Sequence, residues 1–579
     1  MAKGNEAVKT TEKPTGLARV LPILSWAPRY QRNWLRPDVI AGVTVSALVV
    51  PKALGYASIA GVPIQHGLYA AAAGAILYAF FGTSRQIATG PSSALSAVAA
   101  GALVTAGISA GGDDAVQLVA AITIGSGLLF LLLAIFRMGW ISQFLSKAVI
   151  TGFLFGAAIE VVVGELPKIT GTEIEGSNTW QKLGSWLGSL SDTDALTLFV
   201  GVVSLVIIFG LEFTAPRVPG ALVLVVVGLL ASVILDLGEE GVALIGDVPR
   251  GLPSLALPDL EFVIDNFAVI LASSVGLLLI GFSQTAGDAR AFASKHQYRV
   301  DINQESLAQG ACNLGSGLVQ GIPVSTSLSA SSLNDGSGAK TQMASLTTGA
   351  VVVLTLLVLA PLFSDLPKAV LAAIIIEAVV MGMMDVPEMR RLYRVNRSDF
   401  RIAIAAILGV LAAGVLAGVV IGVVLSLGLL IYVSAFPHMP ELGRRPGGQA
   451  FLSLDEYPDC ETYPGLLVMR FDAGLYFATS DALEDGIREY AQDAEPPLHT
   501  VVLDFEGVNF IDSQGTDEVG KLVDLATAAE AEIRLARVKA SVLRMLERDG
   551  VIDRLGVDKI YDNVYQAVAD LIPQETEGA

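Results

Sequence analysis

The feature of this chain that most constrains its fold is a series of about fourteen apolar runs between residues 38 and 436. A helix needs about 20 residues to cross the hydrocarbon core of a bilayer. The chain is 53% hydrophobic and only 16% charged, which is typical of a polytopic membrane protein. We predict spans at 38–58, 64–81, 90–107, 116–136, 143–163, 194–213, 219–236, 267–289, 304–320, 325–336, 342–363, 367–385, 399–416 and 417–436. The last two are barely separated, so thirteen spans or a re-entrant hairpin also fit the pattern.

Two internal echoes indicate that the spans form two related halves. Residues 92–97 (SSALSA) return as 325–330 (STSLSA), each after helix-breaking Gly and Pro residues, and open the third span of each half. Residues 146–149 (SKAV) and 367–370 (PKAV) open the fifth span of each half. Because seven spans is an odd number, the second half must be inverted relative to the first. Paired, broken segments in two such halves are the best sequence indication of a transporter's binding site.

The distribution of basic residues predicts the orientation. Arg and Lys cluster at the N-terminus and after even-numbered spans, as at Arg85, Arg137 and Arg217. By the positive-inside rule, both termini are cytoplasmic in a multi-pass protein of the inner (plasma) membrane. Residues 1–15 are polar and are expected to be a disordered tail rather than a signal peptide. Residues 17–36 fit an interfacial helix and a basic lead-in to the first span about equally well.

The C-terminal part has the pattern of a separate soluble domain. Residues 437–579 contain 12 Lys and Arg against 28 Asp and Glu, which is −16 of the total net charge of −19. This acidity argues against nucleic-acid binding. Short apolar strands at 466–471, 500–505 and 533–538 alternate with helices at 480–491, 516–529, 539–549 and 563–571, which indicates a small α/β domain.

We therefore divide the chain into five parts. They are an N-terminal cytosolic segment (1–37), a transmembrane domain (38–436), a linker (437–464), an α/β domain (465–572) and a disordered tail (573–579). The two cysteines, Cys312 and Cys460, fall in a span and in the linker, so we expect no disulfide. Four scattered histidines form no metal-binding pattern, and we expect no cofactor.

Several motifs resemble a known family. Residues 37–42 (PDVIAG), 50–61 (VPKALGYASIAG), 67–69 (GLY) and 82–85 (GTSR) closely resemble the opening signature of the SulP (sulfate permease) anion transporters, which include prestin. The later motifs that are similar are 216–222 (PRVPGAL), 303–305 (NQE) and 338–342 (GAKTQ). The C-terminal domain resembles the STAS module of these transporters at 475–478 (LYFA) and 511–515 (IDSQG).

This resemblance implies a polytopic α-helical fold with a seven-plus-seven inverted repeat. A core domain of spans 1–4 and 8–11 would move against a gate domain of spans 5–7 and 12–14 in an elevator-like transport cycle. The resemblance also implies a homodimer in the lipid bilayer and a cytosolic STAS domain. In the STAS loop, Gln514 occupies the phosphoacceptor position of related regulators, so switching by that route is not expected, and we interpret Ser513 as a helix N-cap.

The resemblance also implies where an anion binds. The matching positions are Lys52 and Tyr56 of span 1, Ser92 and Ser93 at the start of span 3, Gln284 of span 8, and Ser327, Ser329 and Ala330 at the start of span 10. N–H groups at two helix starts, with nearby hydroxyls, supply the donors that an oxyanion requires in place of water. The alternative is that small residues here only allow close helix packing.

Two positions depart from the family pattern and leave the coupling ion open. Gln284 stands where many relatives have an acidic residue linked to proton or sodium coupling, and Ala330 stands where many have Arg. We hypothesise that Lys52 supplies the missing positive charge. Inserting a lysine within a span costs about 2.5–3.5 kcal/mol, so such a residue is a candidate for a functional site. The alternative is that Lys52 forms a structural ion pair. Asp288, one turn beyond Gln284, is a coupling candidate, although a solvated position at the end of span 8 is the preferred interpretation. For Glu160 and Glu377 we favour interdomain pairing over substrate contact.

These features predict a secondary transporter of small anions. Sulfate is the first expectation, and bicarbonate, chloride or a C4-dicarboxylate remain open. A nucleobase permease of the same fold and a non-transporting sensor that signals through the STAS domain are the alternatives. An enzyme is not expected, because the sequence shows no nucleophile–base set, metal cluster or phosphate loop.

Overall fold

A computed structural model describes residues 17–139, 146–173, 176, 178–215, 218–246 and 248–573. The predicted tail at 1–15, all but the first residue of the tail at 573–579, and Pro216 and Arg217 of one motif lie outside these residues. The chain divides into two compact units, with the boundary between Ser426 and Leu427. The first unit is helical and the second is α/β.

Twelve helices of the first unit correspond to the first twelve predicted spans. They are α1 (Arg32–Ile59), α2 (Gln65–Phe81), α3 (Ser93–Ala106), α4 (Asp113–Ile135), α5 (Lys147–Thr170), α6 (Ala195–Thr214), α7 (Gly220–Ile234), α8 (Phe267–Lys295), α9 (Ile302–Leu318), α10 (Leu328–Gly336), α11 (Met343–Leu354) and α12 (Lys368–Met383). A π-helical turn and a 3₁₀ segment, Thr355–Leu359 and Ala360–Asp365, extend α11. The shorter connecting helices are Leu17–Val20, Ile23–Trp26, Ala27–Arg29, Thr179–Gly188, Leu190–Asp192, Leu260–Asp265 and Val386–Val395.

The last two predicted spans lie in one helical stretch, α13 (Arg397–Ala435), which has a break in the helix at Gly414. Gly414 has a φ of 83°, which glycine adopts without a steric penalty. A Cβ on Gly418 would lie 3.0 Å from the Cα of Val410, whereas a straight helix separates residues eight apart by about 12 Å. The chain therefore reverses at Gly414, and two antiparallel segments stand where the sequence predicts spans 13 and 14.

Seven of the described helical segments are long and apolar enough to cross a membrane by length and composition. They are α1, α4, α5, α6, α8, α11 with its extension to Asp365, and α12 with the helix that follows it to Val395. Helices α3 and α7 and the segment Val420–Ala435 are apolar but shorter. The short α3 and α10 agree with the prediction of broken third spans in each half.

The helices sort into two packing groups. Helices α1, α2, α4, α8, α9 and α11 pack mainly on one another; α3 packs against α1 and α8, and α10 packs against α1. Helices α5, α6, α7 and α12 form a second group. Helix α1 also contacts α12 and α7, so it lies where the two groups meet. We call these sets the core group and the gate group.

Two of the sequence motifs meet inside the core group. Asp38, which is fully buried, accepts hydrogen bonds from the backbone N–H groups of Lys340 at 2.6 Å and Thr341 at 3.1 Å. The Thr341 hydroxyl donates to the same carboxylate at 2.7 Å. The start of α1 is thereby fastened to the loop before α11, which explains why both motifs contain these residues.

Glu305, in the motif at 303–305 (NQE), is a second buried carboxylate, and all its hydrogen-bond partners are donors. It is fully buried and accepts from the Tyr78 hydroxyl at 2.8 Å and from the N–H groups of Thr83 and Ser84 at 2.9 and 3.2 Å. The Thr83 hydroxyl also donates to it. This network joins α9 to the turn after α2.

Replacing Glu305 with Gln is expected to destabilise the protein by about 2 kcal/mol or more. The new NH₂ group would place its two hydrogens against N–H and O–H groups that now donate to the carboxylate, and those groups would lose their acceptor. The measurement is the melting temperature of the purified protein in detergent, together with the yield of monodisperse protein. Glu240→Gln, at an exposed loop position, is the matched control and should change neither. An unchanged melting temperature in the Glu305 variant would contradict the structural role of this network.

The second unit contains a parallel sheet of four strands that lie side by side in chain order. Its strands are β5 (Leu466–Arg470), β6 (Thr500–Asp504), β7 (Glu532–Ala536) and β8 (Ile560–Tyr561). The helices are α14 (Ser480–Asp493), α15 (Ser513–Ala528), α16 (Ala540–Arg548), α17 (Val551–Leu555), a 3₁₀ turn Val557–Lys559, and α18 (Val564–Val568). The predicted alternation of strands and helices is confirmed, with β8 as an addition.

Two details of this unit differ from the expectations. The segment expected to be a linker contains β3 (Leu442–Arg444) and β4 (Phe451–Ser453), which pair antiparallel. Leu442 and Phe451 pack in a cluster with Val468 of β5, so burial of their side chains explains the extra strands. The N-cap of α15 is Asp512 rather than Ser513, since the Asp512 carboxylate accepts from the Gly515 N–H at 2.9 Å.

Candidate functional site

The two broken segments of the halves meet as a short β-ladder. Strand β1 (Thr89–Pro91) pairs antiparallel with β2 (Val324–Thr326), and α3 and α10 begin directly after them. The predicted spans at 90–107 and 325–336 therefore start with extended residues, and the helices begin three residues later. The ladder places the N-termini of α3 and α10 close together inside the core group.

The structural register of the two halves differs from that of the sequence echo. Ser92 and Ser327 are the N-cap residues of α3 and α10, so they are the equivalent pair. The echo instead aligns Ser92 with Ser325, whose hydroxyl donates to the Gly281 carbonyl at 3.3 Å. Small hydroxyl residues are frequent in both segments, which is why the sequence match is displaced by two positions.

Two amides of α9 hold the ladder in place. Asn313 forms a pair of hydrogen bonds with the backbone of Val324, donating to its carbonyl at 2.9 Å and accepting from its N–H at 3.0 Å. Gln309 donates to the Thr89 hydroxyl at 3.0 Å. The sequence analysis singled out neither residue; amide side chains in the middle of a predicted span, at Gln309 and Asn313, were the available signal.

A cavity of about 30 Å³ lies between the ladder, α1 and α10. This space is large enough for one or two water molecules. It is lined by Val45, Leu48, Val49, Lys52, Ala53, Tyr56, Ala75, Ala88, Thr89, Gly90, Pro91, Ser327, Ser329, Ala330, Ser345 and Thr348. The hydroxyl residues of α11 were not anticipated from the sequence.

Five of the predicted site residues line this cavity, and four do not. Lys52 and Tyr56 line it from one face of α1, and Ser327, Ser329 and Ala330 line it from the first turn of α10. Ser92 and Ser93 stand at the start of α3, directly after Pro91 of the lining, and are not part of it. Gln284 and Asp288 are on α8 and are not part of the lining.

The start of α10 presents its polar groups together. The Ser327 side chain caps the helix by accepting from the Ala330 N–H at 3.3 Å. The hydroxyls of Ser327 and Ser329 lie 3.2 Å apart. A helix start with two hydroxyls beside it offers convergent hydrogen-bond donors to an anion.

The two α8 residues have different surroundings. Among the described residues, the buried Oε1 atom of Gln284 has no hydrogen-bond partner. Asp288 is half-buried and accepts from the Thr326 hydroxyl at 2.8 Å. This differs from the preferred expectation of a solvated Asp288, because the end of β2 packs against α8 and brings Thr326 to the carboxylate.

Lys52 has an acidic neighbour in the gate group. Its Nζ lies 3.9 Å from Oε2 of Glu377 on α12, and the two side chains are 16% and 6% exposed. Pairing across the two groups agrees with the interpretation of Glu377. For Glu160, the buried Oε2 atom has no partner among the described residues.

Comparisons with known proteins agree with these features. The "Sulfate permease family" profile matches residues 35–406, and a STAS domain profile matches residues 457–567. A probable sulfate transporter of Mycobacterium tuberculosis is 33% identical over 551 residues, covering 94% of this chain and 97% of the relative. Solute carrier family 26 member 10 of Mus musculus is 31% identical and covers 96% of this chain and 86% of the relative.

Solved structures show the same fold. Murine Solute Carrier 26 family member A9, in an inward-facing state, superposes with a TM-score of 0.86 over 97% of this chain and 96% of that chain, at 23% identity. The transmembrane domain of the cyanobacterial bicarbonate transporter BicA gives a TM-score of 0.60 over 68% of this chain and 98% of that chain, at 23% identity. The seven-plus-seven helical membrane domain, the STAS domain and the sequence matches together show that this chain belongs to the sulfate permease family.

Proposed function

We propose that this protein is a secondary transporter of small anions, with sulfate as its first substrate. The observation that carries the proposal is the cavity between α1, the ladder and the start of α10, which combines hydroxyl groups with the side chain of Lys52. The N–H groups at a helix start and a lysine ammonium group together replace the hydrogen bonds and charge stabilisation that an anion loses when it leaves water. Relatives named as sulfate transporters support sulfate as the first ligand to test.

We further propose that the core group moves against the gate group to carry the anion across the membrane. The cavity lining comes from core-group helices and from the ladder between them, so a bound anion would travel with the core. A contact at the end of α1 would then break in each cycle, since Lys168 of α5 donates to the Ser58 hydroxyl at 3.1 Å. A homodimer with both termini in the cytoplasm is part of the same proposal.

Coupling to a proton through α8 is not part of the proposal. Gln284 does not titrate, and the Asp288 carboxylate is engaged by Thr326 at the back of the ladder. If uptake responds to a pH gradient, Asp288 is the first residue of this helix to test as a coupling site. Flux measured with and without a pH gradient separates the two cases, because a coupled carrier responds to the gradient.

The test is uptake of radiolabelled sulfate into proteoliposomes that contain the full chain. Unlabelled bicarbonate, chloride, fumarate and uracil serve as competitors. We expect saturable sulfate uptake that is insensitive to a pH gradient. The competing anions should reduce this uptake to different degrees, and uracil should leave it unchanged. Uptake of uracil in place of anions would favour the nucleobase alternative, and a lack of flux with every solute would favour a sensor.

A further inference from the structure

The contact between Lys52 and Glu377 joins the candidate anion site to the gate group. Lys52 lies on α1 and lines the cavity, whereas Glu377 lies on α12 and is not among the lining residues. Their charged atoms are 3.9 Å apart, which exceeds the length of a direct hydrogen bond. The lysine is therefore held by charge attraction and retains donors that can turn towards the cavity.

The ion pair places a carboxylate of the gate group beside the ammonium group of Lys52. Glu377 is nearly buried, and charge interactions in such surroundings are stronger than in water. An anion that enters the cavity meets the ammonium group, which attracts it, and the Glu377 carboxylate, which repels it.

We propose that Glu377 is a built-in competitor of the transported anion for Lys52. This inference rests on the proposed function, and it assigns Glu377 a role as a positioning residue that sets anion affinity. In the empty site, Glu377 holds Lys52 and so connects α1 to α12. A bound anion takes over the lysine, the connection weakens, and the core group is released from the gate group.

Competition has a consequence that distinguishes it from a structural ion pair. Removing the negative charge of Glu377 should strengthen anion binding, since the lysine then has one competitor fewer. A structural ion pair predicts that the same change weakens binding or lowers stability alone. The direction of the change in affinity therefore decides between the two roles.

The experiment measures sulfate affinity of the purified full chain by equilibrium binding, and KM and maximal rate in proteoliposomes, at one fixed pH. Glu377→Gln is expected to lower the dissociation constant for sulfate about fivefold, to lower KM similarly and to leave the maximal rate no higher. Glu160→Gln is the matched control, because it removes another carboxylate of the gate group away from Lys52, and its affinity should stay within about twofold. Bicarbonate, chloride and fumarate are tested in the same way.

Each result has a defined meaning. Unchanged or weaker binding in Glu377→Gln, with binding by the unmodified protein intact, overturns the inference alone. If neither protein binds any of the four anions, the proposed function fails and the inference fails with it. Should Glu377→Gln not fold, Glu377→Asp withdraws the carboxylate by one methylene, and an affinity that does not rise overturns the inference.

Discussion

A disulfide between positions 55 and 375 is expected to reduce sulfate flux about tenfold or more, because it joins the core group to the gate group. A Cβ on Gly55 of α1 would lie 2.9 Å from Cγ1 of Ile375 on α12. The Cβ atoms of two cysteines there would be at most about 4.4 Å apart, which a disulfide can bridge. The measurement is flux in Gly55→Cys/Ile375→Cys after oxidation and again after reduction, in a background with Cys460→Ser.

The matched control is a second disulfide of similar geometry within the gate group. A Cβ on Gly228 of α7 would lie 2.9 Å from Cγ1 of Val370 on α12. Oxidised Gly228→Cys/Val370→Cys should transport at the rate of its reduced form. If the pair at 55 and 375 cross-links completely and flux persists, relative movement of α1 and α12 is not part of transport.

Replacing Lys52 with Gln is expected to raise the dissociation constant for sulfate about 30-fold. A hydrogen bond to a charged group contributes about 2 kcal/mol, and this substitution removes the positive charge while keeping a polar side chain in the cavity. The change also leaves Glu377 without its cationic neighbour, which adds repulsion to the loss of attraction. The measurement is equilibrium sulfate binding to the purified variant, supported by its KM in proteoliposomes.

Lys147→Gln is the matched control for this variant. Lys147 begins α5, is 69% exposed and pairs with Glu388 at 3.2 Å, away from the cavity. We expect sulfate affinity within about twofold of the unmodified protein for this control. Wild-type affinity in Lys52→Gln would remove Lys52 from the anion site and leave only its pairing with Glu377.

The fold was predictable to the extent that it depends on contiguous residues. Each predicted span corresponds to a helical segment, and the alternation of strands and helices in the second unit was also confirmed. The reversal at Gly414 resolves the one ambiguity in span number, which hydropathy left open because both sides of the turn are equally apolar. The β3–β4 pair was missed, since three-residue strands have too little pattern to be detected.

The sequence predicted which residues belong to the candidate site, but it did not predict how those residues are arranged in space. The sequence singled out Lys52, Tyr56 and the start of α10, and these residues line one cavity. It contained the amides of α9 as polar residues within a span, but it did not show that they hold the ladder. It also placed Asp288 in solvent, whereas the end of β2 supplies a hydroxyl to it.

Sequence by itself determined that this chain spans a membrane with two inverted sets of helices, that it ends in an acidic α/β domain, and which polar residues interrupt its apolar spans. Hydropathy and helix breakers act over neighbouring residues, so they can be read along the chain. Only the tertiary structure decided that Ser92 is equivalent to Ser327 and that Glu377 faces Lys52. These relations depend on how apolar helices of similar composition pack, and many packings bury the same apolar surface. The choice among them comes from contacts between residues that lie far apart in the chain.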